Sequence, residues 1–147
     1  MTPEKLVSMA LDAMQRAYAP YSGYKVGAAL LCKDGSVVCG ANIENAAYGP
    51  SNCAERTAIF TAVFEGKRDF AAIAVVGGKD GVASDYFPPC GVCRQVMLEF
   101  CEPDFNLHGK AGRHVSGNPA PRLHALRLSR ERVYEVTDRI EIIPWKR

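Results

Sequence analysis

Pro89-Cys90-Gly91-Val92-Cys93 constrains this chain more than any other stretch. Cysteines three apart on one helical turn point their sulfurs to the same side, where they can share a metal. Taken alone, Cys90 and Cys93 also fit half of a structural zinc site, a redox pair or chance. A second stretch, Cys53-Ala54-Glu55-Arg56, narrows the choice. Cys53 supplies a third ligand and leaves a fourth position open, the arrangement that separates catalytic from structural zinc. Glu55, two residues beyond that ligand, is placed to serve a water in the open position. Both stretches are expected to open helices, where the helix dipole and free backbone N–H groups favour thiolates over thiols.

The 147 residues, 48% hydrophobic and 23% charged, suit one soluble globular domain over 1–147. Neither a membrane-length apolar run nor a signal-peptide pattern occurs, so a cytoplasmic protein is expected. Cys32, Cys39 and Cys101 lie in apolar surroundings and are expected to be small buried residues rather than ligands. Residues 1–105 hold 9 basic and 12 acidic side chains, and 106–147 hold 9 and 4, giving −3 and +5. An acidic body without a basic, aromatic-lined groove argues against a polynucleotide partner.

Thr2-Pro3-Glu4 reads as a helix start, and Leu6, Met9, Ala10, Ala13, Met14 and Ala17 recur at helical spacing up to the stop at Pro20. Tyr24 to Leu31 and Ser36 to Ile43 read as strands joined at Lys33-Asp34-Gly35. A helix from about Cys53 to Glu65 buries Ala58, Ile59, Ala62 and Val63, and Gly66 closes it. Ala71 to Val76 is a strand buried on both faces, and Pro89 can start a helix running to about Cys101. Asn106 to Pro121 is glycine-rich and reads as loop; a short helix near Leu123 to Arg132 and a strand over Val133 to Ile143 follow.

A Cys-x-Glu and Pro-Cys-x-x-Cys pair resembles the signature of zinc deaminases. Residues 1–105 closely resemble the small homotetrameric cytidine deaminases, within the cytidine/deoxycytidylate deaminase superfamily. The likeness rests on Tyr18-Ala19-Pro20-Tyr21-Ser22, Val26-Gly27-Ala28-Ala29-Leu30, Asn42-Ile43-Glu44-Asn45-Ala46, Cys53-Ala54-Glu55-Arg56-Thr57 and Pro89-Cys90-Gly91-Val92-Cys93-Arg94-Gln95. The resemblance implies an α/β fold, three-layer α/β/α, with a mixed five-stranded sheet. It implies one zinc per subunit on Cys53, Cys90 and Cys93, with Glu55 shuttling protons from an activated water to the cytosine ring. The expected reaction converts cytidine and 2′-deoxycytidine to uridine and 2′-deoxyuridine plus ammonia, in pyrimidine salvage.

By the same resemblance Arg56 and Arg94 offset the thiolate charge, although each also fits a surface salt bridge. Asn42 and Glu44 match the sugar-binding pair; without the family they read as a polar turn. Tyr24 stands where the family usually has Phe against the base, and the backbone of Ala54 faces the ring's exocyclic group. Ala46 and Tyr48 match residues that reach a neighbouring subunit's site. Two other readings are a deaminase of another small cytosine-containing compound and a non-catalytic, zinc-stabilised binding protein.

After Phe105 the family's strand, turn and Leu-Leu-Pro-aromatic closing motif are replaced, with Leu123-His124-Ala125-Leu126 as an echo. The segment 106–126 is therefore atypical, and His108, His114 and His124 show no ligand-like spacing. A one-base offset through the codons for 106–123 could encode a segment resembling the missing one, pointing to a compensated frameshift.

Overall fold

The computed structural model describes residues 1–83, 87–102 and 105–109. Helix α1 (Pro3–Met14) opens with Thr2 as its cap, the hydroxyl accepting from Lys5 N, and proline sits at the first helical position, where its missing N–H costs nothing. Strands β1 (Tyr24–Cys32) and β2 (Val37–Ala41) form a hairpin, α2 (Ala54–Phe64) follows, and then β3 (Phe70–Lys79), α3 (Gly91–Phe100) and β4 (Asn106–His108). The sheet order is β2-β1-β3-β4. Strand β1 runs antiparallel to both neighbours, and β4 runs parallel to β3, so the sheet is mixed.

Alternation along the two central strands divides the core. Val26, Ala28 and Leu30 of β1 with Ile73 and Val75 of β3 face α2 and α3, joining Ala58, Ile59, Ala62 and Met97. Ala29, Ala72, Ala74 and Val76 face the other way, onto Leu6, Ala10 and Met14 of α1. Two glycines let the helices close in. A β-carbon on Gly27 would lie 2.1 Å from Ala10 O of α1, and one on Gly40 would lie 2.4 Å from Ala54 O of α2. The result is the expected three-layer α/β/α arrangement.

Four strands occur among the described residues where five were expected. The helix expected to reach Pro20 ends at Met14. The chain leaves it because Tyr18 has other partners: its N–H donates to Asn42 O at 3.0 Å and its carbonyl accepts from Glu44 N at 2.8 Å. Residues 106–108, expected as loop, pair with Ala72, Ile73 and Ala74 as β4, since main-chain hydrogen bonding to a buried strand needs no apolar pattern of its own. Pro89 precedes α3 rather than starting it, because Cys90 takes the cap position. Cys39 is exposed, against expectation, as its side chain alternates outward on the edge strand β2, whereas Cys32 is buried and Cys101 partly so. The helix expected near 123–132, the strand near 133–143, and His114, His124 and Leu126 lie outside the described residues.

Candidate active site

Topology brings the two cysteine stretches together. Strands β2 and β3 both run antiparallel to β1, so they point the same way. Helix α2 follows β2 and α3 follows β3, and both pack on the same sheet face. Their N-termini therefore meet at the carboxyl end of these strands, the usual place for a site in such sheets.

Cys53 is the cap residue of α2 and Cys90 that of α3. The Cys53 and Cys90 sulfurs lie 3.8 Å apart. The ligand atoms of Cys53, Cys90 and Cys93 all fall within 4.8 Å of one another, the one such group of His, Cys, Asp or Glu among the described residues. Two thiolates on one tetrahedral zinc, with bonds of ~2.3 Å, stand roughly 3.8 Å apart. An all-sulfur donor set suits zinc, so the residues present fit that metal.

Helix termini and an arginine prepare these sulfurs. Cys93 N–H points at Cys90 Sγ at 3.5 Å, while Cys53 Sγ makes no cap bond to α2. The Cys93 thiol donates to Cys53, which holds Cys53 well below the usual thiol range and, together with burial, pushes Cys93 up. Arg56, on the first turn of α2, donates from Nη2 to Cys53 Sγ at 3.6 Å and to Ser51 O at 3.2 Å. Its Nε is buried with no hydrogen-bond partner, so donor capacity remains beside the sulfurs. Arg94 Nε donates to Pro89 O at 3.0 Å and so braces the turn that carries Cys90.

Glu55 is 4% exposed and sits on the first turn of α2 beside the cluster. Burial pushes its carboxyl above the ordinary carboxylate range, and the neighbouring Cys53 charge adds to the rise. Ala54, the first residue of α2, is fully buried next to it.

A polar rim adjoins the sulfurs. Ile43 and Asn52 exchange backbone hydrogen bonds at 2.9 Å in both directions, which sets residues 42–44 beside Cys53. Thr57 Oγ1 donates to Ala41 O at 3.0 Å and accepts from Asn52 Nδ2 at 3.1 Å, tying α2 to the end of β2. Asn42 accepts from Val26 N at 2.8 Å through Oδ1 and donates from Nδ2 to Tyr24 O at 2.9 Å. It thus clips the start of β1, which places Tyr24 next to it with an exposed ring. Glu44 accepts from the Tyr21 and Ser22 amides at 3.0 and 3.2 Å. Ala46 and Tyr48 project from the exposed loop beyond, Tyr48 being 90% exposed. Sequence reasoning missed the roles of Ser22, Asn52 and Thr57. Short polar side chains carry no spacing signal, and the partners of these three, Glu44 for Ser22, Thr57 for Asn52 and Ala41 O for Thr57, are set by the fold.

An α/β fold with a three-cysteine metal site and a buried glutamate at helix N-termini defines a zinc hydrolase of the deaminase type. Residues 1–108 match the family model of the cytidine and deoxycytidylate deaminase zinc-binding region. The cytidine deaminase of Halalkalibacterium halodurans is 55% identical over 108 residues, 74% of this chain and 79% of that protein. That of Sporosarcina psychrophila is 54% identical over 101 residues, 69% and 71% of the two chains. The crystal structure of the Burkholderia pseudomallei cytidine deaminase superposes with a TM-score of 0.69 at 49% identity, covering 76% of this chain and 88% of that one. The chain belongs to the cytidine and deoxycytidylate deaminase family, and Cys53, Cys90 and Cys93 form a group that could hold its metal.

Proposed function

We propose that this chain hydrolyses cytidine and 2′-deoxycytidine to uridine and 2′-deoxyuridine with release of ammonia, as a homotetramer serving pyrimidine salvage in the cytoplasm. The similarity to cytidine deaminases supports the substrate class. The observation that carries the mechanism is Glu55, a buried carboxyl that burial pushes above the ordinary carboxylate range, beside the cysteine cluster. Cys53, Cys90 and Cys93 would hold a zinc ion, which would supply the polarisation that makes a water nucleophilic toward the ring carbon bearing the amino group.

Glu55 accepts the proton that this water gives up and returns it to ring N3; it then takes the proton of the hydroxyl now on that carbon and passes it to the amine, which leaves as ammonia while the carbonyl forms. A carboxyl raised above the ordinary carboxylate range by burial is a better proton acceptor for the water than an exposed one, because its protonated form is less costly. The buried Ala54 backbone bounds the exocyclic side of the ring. Asn42 and Glu44 hold the sugar and Tyr24 lies along the base, while Arg56 offsets the negative charge of three sulfurs. A non-catalytic zinc protein has no use for a buried carboxyl beside an open metal position. Among the described residues no helix is long and apolar enough to cross a membrane.

Incubation with cytidine, 2′-deoxycytidine and free cytosine tests the substrate assignment by chromatography and ammonia assay. Both nucleosides should yield the uracil product with equimolar ammonia, and far faster than cytosine. Equal rates for cytosine, or no ammonia from either nucleoside, would contradict the reading.

A further inference from the structure

The Glu44 carboxylate is held by more than a sugar-binding role requires. Oε2 accepts the Tyr21 N–H at 3.0 Å and the Ser22 N–H at 3.2 Å. Oε1 accepts the Ser22 hydroxyl at 2.5 Å. The same hydroxyl oxygen accepts the Tyr24 N–H at 2.9 Å. A serine hydroxyl has one proton. Because the Tyr24 amide can only donate, that proton points to Glu44. The chain of donors thus runs in one direction, from the first residue of β1 through Ser22 to the carboxylate. The backbone of Glu44 is fixed as well, by its N–H to Tyr18 O at 2.8 Å.

A carboxylate offers about four acceptor sites. Three donors from residues 21 and 22 fill both sites on Oε2 and one on Oε1. One site remains, on the oxygen that Ser22 orients. We propose that Ser22 is a positioning residue for the substrate: its hydroxyl fixes Glu44 Oε1 so that its one remaining acceptor site takes a single sugar hydroxyl. The proposal rests on the reading of Glu44 as a sugar contact. It adds that Ser22 couples this contact to Tyr24, so the sugar and base positions are set by one side chain. An unclamped glutamate would have to lose the freedom of its side-chain torsions on binding, and the clamp removes that cost before substrate arrives.

Steady-state kinetics on zinc-loaded Ser22→Ala, Ser22→Thr, Glu44→Gln and the Ser22→Ala/Glu44→Gln pair tests this. The substrates are cytidine, 2′-deoxycytidine and 3′-deoxycytidine. Ser22→Ala should raise KM for cytidine about tenfold, the scale of a hydrogen bond to a charged group, with kcat falling less than about threefold, because uniform binding is lost. Ser22→Thr, which keeps the hydroxyl, should return KM to within about threefold of the parent. In the Glu44→Gln background the alanine substitution should add little, as expected for residues acting as a unit. One of the two deoxynucleosides should lose its sensitivity to Ser22→Ala and the other keep it.

An unchanged KM in Ser22→Ala, full additivity with Glu44→Gln, or equal sensitivity of both deoxynucleosides overturns the proposal. A merely structural serine would lower the melting temperature without separating KM from kcat. If Glu44→Gln itself leaves KM unchanged, the sugar-contact reading fails. If Glu44→Gln raises KM and Ser22→Ala does not, the positioning role alone fails.

Discussion

Arg56 faces Cys53 from one turn along α2, 3.6 Å from its sulfur, with a buried Nε that no protein oxygen satisfies. Replacing it by alanine should weaken zinc binding by about 10- to 100-fold, the usual effect of removing a group that supports a metal ligand. Competition with a chromogenic chelator measures this, and an affinity within twofold of the parent would remove Arg56 from the site. Zinc affinity itself should fall as pH falls, because the hydrogen bond to Cys53 and burial raise the Cys93 thiol and its proton must leave before the metal binds. Asp34 gives a separate acid-side effect. The Ser36 hydroxyl and amide, helped by Lys67, pull its carboxyl down from 3.8 to about 2. A depressed folded-state pKa contributes stability above the unfolded value and loses it as pH falls through the folded one. Urea titrations should therefore show a smaller loss between pH 4 and pH 2 in Asp34→Asn than in the parent. Equal slopes would dismiss the contribution.

At the scale of elements, the metal site depends on how closely α2 lies on the hairpin. Gly40 permits this, since a β-carbon there would sit 2.4 Å from Ala54 O and 2.5 Å from Ala58 N. These are backbone atoms of the turn that carries Glu55, so relief requires moving the helix. Gly40→Ala should cost about 1–3 kcal/mol, as overpacking does, and displace the Cys53 end of α2. The expected signature is a lower melting temperature together with weaker zinc retention; a variant as stable as the parent would mean that α2 shifts freely. Much of this level is legible in the sequence. Thr2-Pro3, the Lys33-Asp34-Gly35 turn and the apolar run after Ala71 mark α1, the hairpin and β3 by local chemistry. The misses are tertiary: α1 stops at Met14 because Tyr18 bonds Asn42 and Glu44, and Asn106–His108 becomes a strand because β3 offers it an edge. The grouping of Cys53, Cys90 and Cys93 was legible because residue type and spacing carry chemistry. The Ser22–Glu44 clamp was not, since nothing along the chain links positions 22 apart.

For the whole molecule, α2 leaves Phe60 and Phe64 exposed one turn apart, Phe64 at 91%. Aromatic side chains on one helix face suit burial between copies of this chain, which is the surface expected in the proposed homotetramer. Sedimentation of Phe64→Asp should show smaller species than the parent, and an unchanged distribution would place the contacts elsewhere. The family match ends at residue 108, where the charge balance turns basic. We propose a compensated one-base offset across the codons for 106–123 as the source of both; resequencing that yields no offset restoring apolar alternation would end the idea.

In the proposed reaction Glu55, buried beside the cysteine cluster, moves the protons of a zinc-dependent deamination. Following the cytidine absorbance band with zinc-loaded parent and Glu55→Gln, and measuring zinc in both, tests this role. The parent should convert cytidine, and the variant should retain one zinc per chain while losing at least about 100-fold in kcat, the low end for general acid–base catalysis. A zinc-loaded, folded parent that leaves cytidine unchanged, or a glutamine variant of parental activity, would contradict the account.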